Sequence, residues 1–140
     1  METRVVCFGI WDLLHVGHLR FFQKARAQGS WLGVGVPSDA VVIADKGRPP
    51  IIPFDQRLEM LEQLRCVDAA RSYSTLDFLP VLEWFNPHVL AVGENWGGAE
   101  RHKAAEAWVE ERGGRVVRLP RTEGVSTTEI RATILHDGWA

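Results

Sequence analysis

The chain has 140 residues, of which 46% are hydrophobic and 24% are charged, and its formal net charge is −2. A chain of this length can bury a core, so we expect one domain over residues 1–140. The slightly acidic balance argues against non-specific nucleic-acid binding, and the lack of any run of ~18 apolar residues argues against a membrane partner.

The two cysteines stand far apart, Cys7 in an apolar run and Cys66 in "LRCVD". Their spacing fits neither a zinc site nor a disulfide framework, and the N-terminus has no signal-peptide stretch. We therefore expect two buried free thiols in a cytoplasmic protein.

Short apolar runs alternate along the chain with segments of helical spacing. The runs predict strands, and the segments between them predict helices. In chain order we expect strand 4–10, helix 16–29, strand 31–37, helix 54–64, strand 70–73, helix 75–85, strand 88–93, helix 99–114, strand 115–120 and helix 126–135. This alternation predicts a Rossmann-like α/β fold, in which a five-stranded parallel sheet carries helices on both faces.

Residues 37–53, "PSDAVVIADKGRPPIIP", have no regular periodicity and predict a long loop. Loops of this length in compact domains are often functional, and this one contains Lys46, Gly47 and Arg48. The alternative is a solvated surface loop.

The stretch "HVGH" at 15–18 lies where the first strand turns into a helix. Ligands of parallel sheets bind at the carboxyl ends of strands, which is where this turn lies. Surface or capping histidines, a metal site with Asp12, and a phosphate site all fit the pattern. The phosphate interpretation uses every residue. The helix N-terminus attracts anions, Gly17 lets a ligand approach the backbone, and the two imidazoles face the same way and can donate to phosphate oxygens.

Two stretches at opposite ends of the chain resemble known signatures. "GIWDLLHVGHLRFFQKARAQG" resembles the opening signature of the HxGH nucleotidyltransferases, and "RTEGVSTTEI" (121–130) resembles the second signature of their cytidylyltransferase branch. The "KG" loop, "RLEMLEQLRCVD" (57–68) and "VGENWGG" (92–98) follow in the expected order. The short form is most similar to bacterial glycerol-3-phosphate cytidylyltransferases.

The resemblance implies transfer of CMP from CTP to a small phosphorylated alcohol, giving a CDP-alcohol and pyrophosphate, with Mg²⁺ accompanying CTP. A phosphate nucleophile is largely dianionic at neutral pH, since its second pKa is ~6, and so needs no general base. Catalysis then depends on positioning and on charge stabilisation.

The resemblance also assigns residues. It implies catalytic roles for His15, His18 and Lys46. It implies nucleotide binding by Gly9, Ile10, Trp11, Val16, Gly17, Arg65, Gly93, Glu94, Arg121, Thr122, Glu123, Gly124, Val125, Ser126, Thr127 and Thr128. It implies acceptor binding by Asp39, Lys46, Arg57 and Trp96, with no metal site on the protein. Because Arg57 and Arg65 are eight residues apart, we expect them to point the same way and to hold phosphates as a pair.

The sequence departs in two places from the glycerol-3-phosphate cytidylyltransferases, so other substrates are possible. Glu94 and Asn95 stand where glycerol-3-phosphate members usually have two aspartates, and residues 72–88 contain no lysine or arginine. The acceptor can therefore be another phosphorylated alcohol or a phosphonate. A related ATP-dependent adenylyltransferase, with heptose phosphate or FMN as acceptor, and a non-catalytic nucleotide sensor are further alternatives.

The aromatic content predicts an assembly. The chain has six tryptophans and six phenylalanines, which one small core cannot hide completely. We expect Phe21 and Trp31 to remain outside, and a two-fold symmetric homodimer whose interface is drawn mainly from the first half of the chain.

Overall fold

The computed structural model describes residues 1–137, and within them five strands alternate with six helices. The strands are β1 (Arg4–Phe8), β2 (Trp31–Pro37), β3 (Ala69–Tyr73), β4 (Val89–Val92) and β5 (Arg115–Arg118). The helices are α1 (Val16–Arg26), α2 (Asp39–Lys46), α3 (Phe54–Glu62), α4 (Leu79–Phe85), α5 (Glu100–Glu111) and α6 (Thr127–Asp137). No helix in this described range is long and apolar enough to cross a membrane.

The strands form one parallel sheet in the order β3-β2-β1-β4-β5, which confirms the predicted fold class. Val5 of the central strand β1 pairs with Leu32 on one side and with Val89 on the other. Strand order reverses between β1 and β4. In such sheets the crevice at the carboxyl ends of the two strands flanking the reversal is where ligands bind.

Successive residues of β1 face opposite cores, as the period of two in a strand requires. Val5 and Cys7 pack with Phe22 of α1 and Leu61 of α3 on one face. Val6 packs on the other face, together with residues of α2, α4 and α5. Because both faces are covered, the central strand is a continuous apolar run without alternation.

Helix α2 occupies a segment that the sequence analysis expected to be an irregular loop. The Ser38 hydroxyl caps its first turn by accepting a hydrogen bond of 3.3 Å from Val41 N–H. Gly47 ends it with a φ of 76°, a conformation that glycine adopts without strain. The prediction of a loop over 37–53 is therefore wrong for its first half, and Lys46 is the last residue of a helix.

Three burial predictions also need correction. Cys7 is buried as expected, whereas Cys66 is only half-buried. Phe21 and Trp31, expected outside, are half-buried, because Phe21 packs on Trp11 and Trp31 packs edge-on against Phe85. The homodimer, for which their exposure was one reason, stays a prediction.

Candidate active site

A cavity of about 630 Å³ opens at the carboxyl ends of β1 and β4, where the strand order reverses. The turn after β1, the end of α2, the turn after β4 and the start of α6 form its walls. Two groups of residues stand out in its lining. The first is formed by the HxGH histidines and the second signature, and the second, which we call the aromatic lobe, is formed by the rings of Phe8, Tyr73, Phe78, Trp96 and His102.

The two HxGH histidines cap helix α1 reciprocally. His15 is the N-cap, and its Nδ1 accepts a hydrogen bond of 3.0 Å from Gly17 N–H. His18 Nδ1 accepts a bond of 3.2 Å from His15 N–H. These bonds use Nδ1 as an acceptor on both rings, so each neutral imidazole carries its proton on Nε2. The rings stack with centroids 3.9 Å apart.

Both histidines are held in the neutral form at neutral pH. Burial lowers the pKa of His18 to about 4, and the adjacent His15 contributes in the same direction. Burial also lowers the pKa of His15, although Glu129 opposes the shift. The pair therefore presents two neutral Nε2–H donors, which hydrogen-bond an anion without bringing a positive charge of their own.

Gly17 and Gly9 each make room for a side chain of the same turn. A Cβ on Gly17 would lie 2.8 Å from Cε1 of His15, and one on Gly9 would lie 2.8 Å from the Trp11 indole. The close approach expected at Gly17 is thus made by the His15 ring. Trp11 itself is core, since its indole is buried and donates a bond of 3.0 Å to Gly35 O.

The second signature meets the first at the start of α6. Thr127 Oγ1 donates a bond of 2.9 Å to Asp12 O and lies 3.5 Å from Nε2 of His15. Ser126 Oγ accepts a bond of 3.0 Å from Glu129 N–H and so caps the first turn of α6. The two motifs, more than a hundred residues apart, thus form one wall of the cavity.

Asp12 anchors three segments around the site and was considered from the sequence only as a metal ligand. Its carboxylate accepts bonds of 2.8 Å from Ile51 N–H and from Ile52 N–H, and one of 2.7 Å from Arg131. Burial alone would raise the pKa of Asp12, but these hydrogen bonds and the Arg131 charge outweigh it and lower that pKa. Both oxygens are engaged by donors, so the carboxylate positions backbone.

The five rings of the aromatic lobe contact one another. Phe8 and Phe78 lie 4.5 Å apart between centroids, Phe78 and Trp96 lie 5.2 Å apart, and Tyr73 meets Phe78 edge-on. The His102 ring stacks on Trp96 at 4.2 Å, and its Nδ1 accepts from Gly97 N–H and Ala99 N–H at the start of α5. Burial, and then the nearby Arg101, lower the pKa of His102.

Charged side chains lie beside this aromatic lobe. The Arg101 guanidinium donates a bond of 2.8 Å to Oδ1 of Asp45 and lies over the Phe78 ring at 5.4 Å from its centroid. Lys46 Nζ lies 4.0 Å from Oδ2 of the same aspartate. One carboxylate at the end of α2 therefore faces two cations.

Most of the predicted site residues line the cavity. They are Gly9, Ile10, Trp11, His15, Gly17, His18, Lys46, Gly93, Glu94, Trp96, Arg121, Val125, Ser126, Thr127 and Thr128. Outside its lining are Val16, Asp39, Arg57, Arg65, Thr122, Glu123 and Gly124. Lining residues that the sequence analysis did not assign include Asp12, Asp45, Tyr73, Phe78, Arg101, His102 and Arg131. Tyr73 ends β3, and Asp12 and Phe78 lie in the turns that follow β1 and β3, so the rule that ligands bind at strand carboxyl ends could have identified these three.

Arg57 does not bind a ligand in this arrangement but holds backbone together. Its side chain is only 1% exposed, and it donates bonds of 2.8 to 2.9 Å to Ile10 O, Pro37 O, Ile52 O and the Asp39 carboxylate. Arg65 lies exposed in the turn after α3. The prediction that Arg57 and Arg65 act as a pair is therefore wrong. Helical spacing indicates on which side of a helix a side chain lies, but it does not indicate whether that side chain is buried.

Arg118 plays a similar part at the other side of the cavity. From the end of β5 it donates bonds of 2.8 Å to Gly93 O and 3.0 Å to Trp96 O. The turn after β4 is thereby fixed beneath the cavity, and Glu94 Oε1 accepts a bond of 3.2 Å from Arg121 N–H.

Comparison with known proteins agrees with this geometry. A family profile described as "Cytidylyltransferase-like" matches residues 6–133. Curated relatives include the bifunctional protein HldE of Citrifermentans bemidjiense, 38% identical over 130 residues that cover 91% of this chain and 26% of the relative. HldE of Streptomyces coelicolor is 37% identical over 131 residues, covering 93% and 28%. The chain spans about a quarter of the length of these relatives.

Two solved structures share the fold. The lipopolysaccharide core biosynthesis protein from Thermoplasma volcanium GSS1 has a TM-score of 0.72 and 23% identity, with 87% of this chain and 98% of that chain covered. Pantoate-beta-alanine ligase from Francisella tularensis has a TM-score of 0.57 and 13% identity, with 97% and 70% covered. At these identities the likeness concerns the fold alone.

Proposed function

Because the chain belongs to the cytidylyltransferase-like family of nucleotidyltransferases, we propose that it transfers a nucleoside monophosphate from a nucleoside triphosphate to a phosphorylated sugar, releasing pyrophosphate. One observation carries the proposal. The neutral His15 and His18 rings stack at the N-terminus of α1 with their Nε2 atoms free of the helix cap, beside the Thr127 hydroxyl.

In this reaction a phosphate oxygen of the acceptor attacks the α-phosphorus of the triphosphate. The new O–P bond forms as the bond from the α-phosphorus to the bridging oxygen breaks, and the electron pair leaves with pyrophosphate. The two Nε2–H donors hydrogen-bond the phosphate oxygens on which negative charge grows. The N–H groups at the start of α1 and of α6 favour the same anion.

We infer ATP as the donor and heptose phosphate as the acceptor. The HldE relatives, at 37 to 38% identity over nine-tenths of the chain, support this adenylyltransferase alternative better than CTP and glycerol 3-phosphate. The aromatic lobe agrees with an acceptor larger than glycerol phosphate, because its ring faces can pack against the carbon skeleton of a sugar.

We propose that Mg²⁺ enters with the triphosphate. The acidic side chains of the cavity already have donors, since Asp12 accepts from Arg131, Asp45 accepts from Arg101 and Glu94 accepts from a backbone N–H. Phosphate oxygens and water are therefore the ligands that fit the ion here. Its contribution would be to neutralise triphosphate charge.

The test is a matrix of ATP and CTP against heptose 1-phosphate and glycerol 3-phosphate with Mg²⁺, scored by pyrophosphate release and by mass spectrometry of the product. We expect ATP with heptose 1-phosphate to give ADP-heptose fastest. Preferential turnover of CTP with glycerol 3-phosphate would restore the first expectation. If the protein bound nucleotide but released no pyrophosphate with any combination of nucleotide and acceptor, the non-catalytic nucleotide sensor would be favoured.

A further inference from the structure

We propose that Arg101 and Lys46 together bind the phosphate of the acceptor substrate. In the absence of that substrate, both cations pair with the Asp45 carboxylate. The inference rests on the proposed function, which requires a phosphorylated acceptor. It starts from a cluster beside the aromatic lobe, in which Asp45 lies 2.8 Å from Arg101 and 4.0 Å from Lys46.

The cluster carries more positive than negative charge. Two cations share one carboxylate, and Arg48 lines the same cavity close by in the chain. A dianionic phosphate matches such a pair of cations better than a single carboxylate does, and the planar guanidinium can bind two of its oxygens at once. The cluster is therefore poised to exchange its carboxylate for a phosphate.

The guanidinium of Arg101 has unused donor capacity. One of its terminal nitrogens binds Asp45, while the buried Nε has no acceptor among the residues that the structure describes. Leaving a buried donor unpaired is unfavourable. An additional oxyanion in the cavity is the partner that this side chain lacks.

The surroundings keep Arg101 in place while leaving Asp45 free to move. Arg101 lies over the Phe78 ring, which also contacts the rings of Trp96 and Tyr73. The partners of Asp45 are two side chains, and its own side chain is 29% exposed. Asp12, by contrast, is buried and held by backbone N–H groups, as a structural carboxylate would be.

The same packing indicates the kind of acceptor. A phosphate bound between Lys46 and Arg101 would leave its carbon skeleton beside Phe78 and Trp96. We therefore infer a phosphate monoester whose skeleton lies against aromatic faces, in a part of the cavity that Tyr73 and His102 also line.

The experiment compares Arg101→Gln, Arg101→Lys and Asp45→Asn with Lys103→Gln. Lys103 is a matched control, because it lies on α5 two residues away, is exposed, and pairs with Glu100 outside the cavity. Heptose 1-phosphate binding is measured by calorimetry without nucleotide, its KM is measured at saturating ATP, and ATP affinity and melting temperature report folding.

We expect Arg101→Gln to weaken heptose 1-phosphate binding and raise its KM on the order of tenfold, with ATP affinity and kcat little changed. Arg101→Lys should fall between wild type and Arg101→Gln. Asp45→Asn should have the opposite effect and lower the KM for heptose 1-phosphate several-fold, because the side chain that competes with the phosphate has lost its charge. Lys103→Gln should match wild type.

An ion pair that merely joins α2 to α5 would behave differently. Arg101→Gln and Asp45→Asn would then lower the melting temperature alike, and Asp45→Asn would raise the KM or leave it unchanged, which overturns the inference. Arg101→Gln that binds heptose 1-phosphate like wild type also overturns it and leaves the proposed function intact. Binding that depends on Arg101 without any nucleotidyl transfer would count against the proposed function alone.

Discussion

Arg131 donates a hydrogen bond of 2.7 Å to Asp12 across a sequence separation of 119 residues. Asp12 lies in the turn that leads into helix α1, and Arg131 lies in helix α6. Because the same carboxylate also accepts from the backbone of Ile51 and Ile52, three segments of the cavity wall converge on one side chain. The geometry of the site therefore depends on a residue that we do not expect to touch substrate.

Substituting Asp12→Asn should destabilise the protein by about 2–3 kcal/mol, because it removes a charge that Arg131 and two backbone N–H groups share. Urea unfolding at neutral pH measures this. Glu110→Gln, on the exposed side of α5, is the control and should change stability by no more than ~0.5 kcal/mol. If both variants unfolded at the urea concentration of wild type, Asp12 would not be the anchor described above.

Asparagine at either HxGH histidine should reduce kcat by roughly 10²–10³-fold, with a much smaller effect on nucleotide affinity. The asparagine oxygen can still accept the backbone N–H that Nδ1 accepts now, so the helix cap is retained while the Nε2 donor is lost. Single-turnover kinetics and nucleotide titration separate the two quantities. Near-normal turnover of His15→Asn or His18→Asn would remove that ring from the reaction. His88→Ala, which alters an exposed histidine away from the cavity, serves as the control.

Stability should fall as the pH falls through the range set by His18. Its pKa is about 4 in the folded protein and 6.5 ordinarily, so the unfolded chain binds the proton first. The stabilisation that the neutral ring provides is present above pH 6.5 and is lost progressively towards pH 4. At pH 4.5 the loss amounts to roughly 2.5 kcal/mol. Urea unfolding of wild type and of His18→Asn at pH 7 and pH 4.5 isolates this effect. Equal losses in both proteins would show that His18 titrates normally.

The homodimer is testable by light scattering at micromolar concentration, where we expect twice the 15.7 kDa mass of one chain. Ile43, Ile51 and Met60 are exposed apolar side chains in the first half of the chain, whereas the exposed Trp84 lies in the second half. Ile51→Asp should therefore weaken association if the interface is where the sequence predicts it. A monomer mass that is unchanged by ATP would exclude the dimer.

The sequence is most informative where one physical signal dominates. Continuous apolar runs identify β1, β2 and β4, because a strand that is covered on both faces has no polar side. The edge strands β3 and β5 give a weaker signal, since Arg71 and Arg118 lie exposed within them. Helix α2 is missed because eight residues give barely two turns of periodicity, although Ser38 and Gly47 mark its ends. Spacing places Arg57 on a helix but cannot tell a buried guanidinium from an exposed one. Arg101 and Asp45 are distant in sequence, so their pairing appears only after folding.

The bond between Asp12 and Arg131 also sets an order of events during protein synthesis. At about 5–20 residues per second, a ribosome adds the intervening 119 residues in roughly 6 to 24 s. For nearly all of that interval the growing chain carries both histidines but lacks the helix that completes their surroundings. The site is thus completed only after residue 131 has been added, and a chain that stops before this residue would have the first signature and an unfinished site.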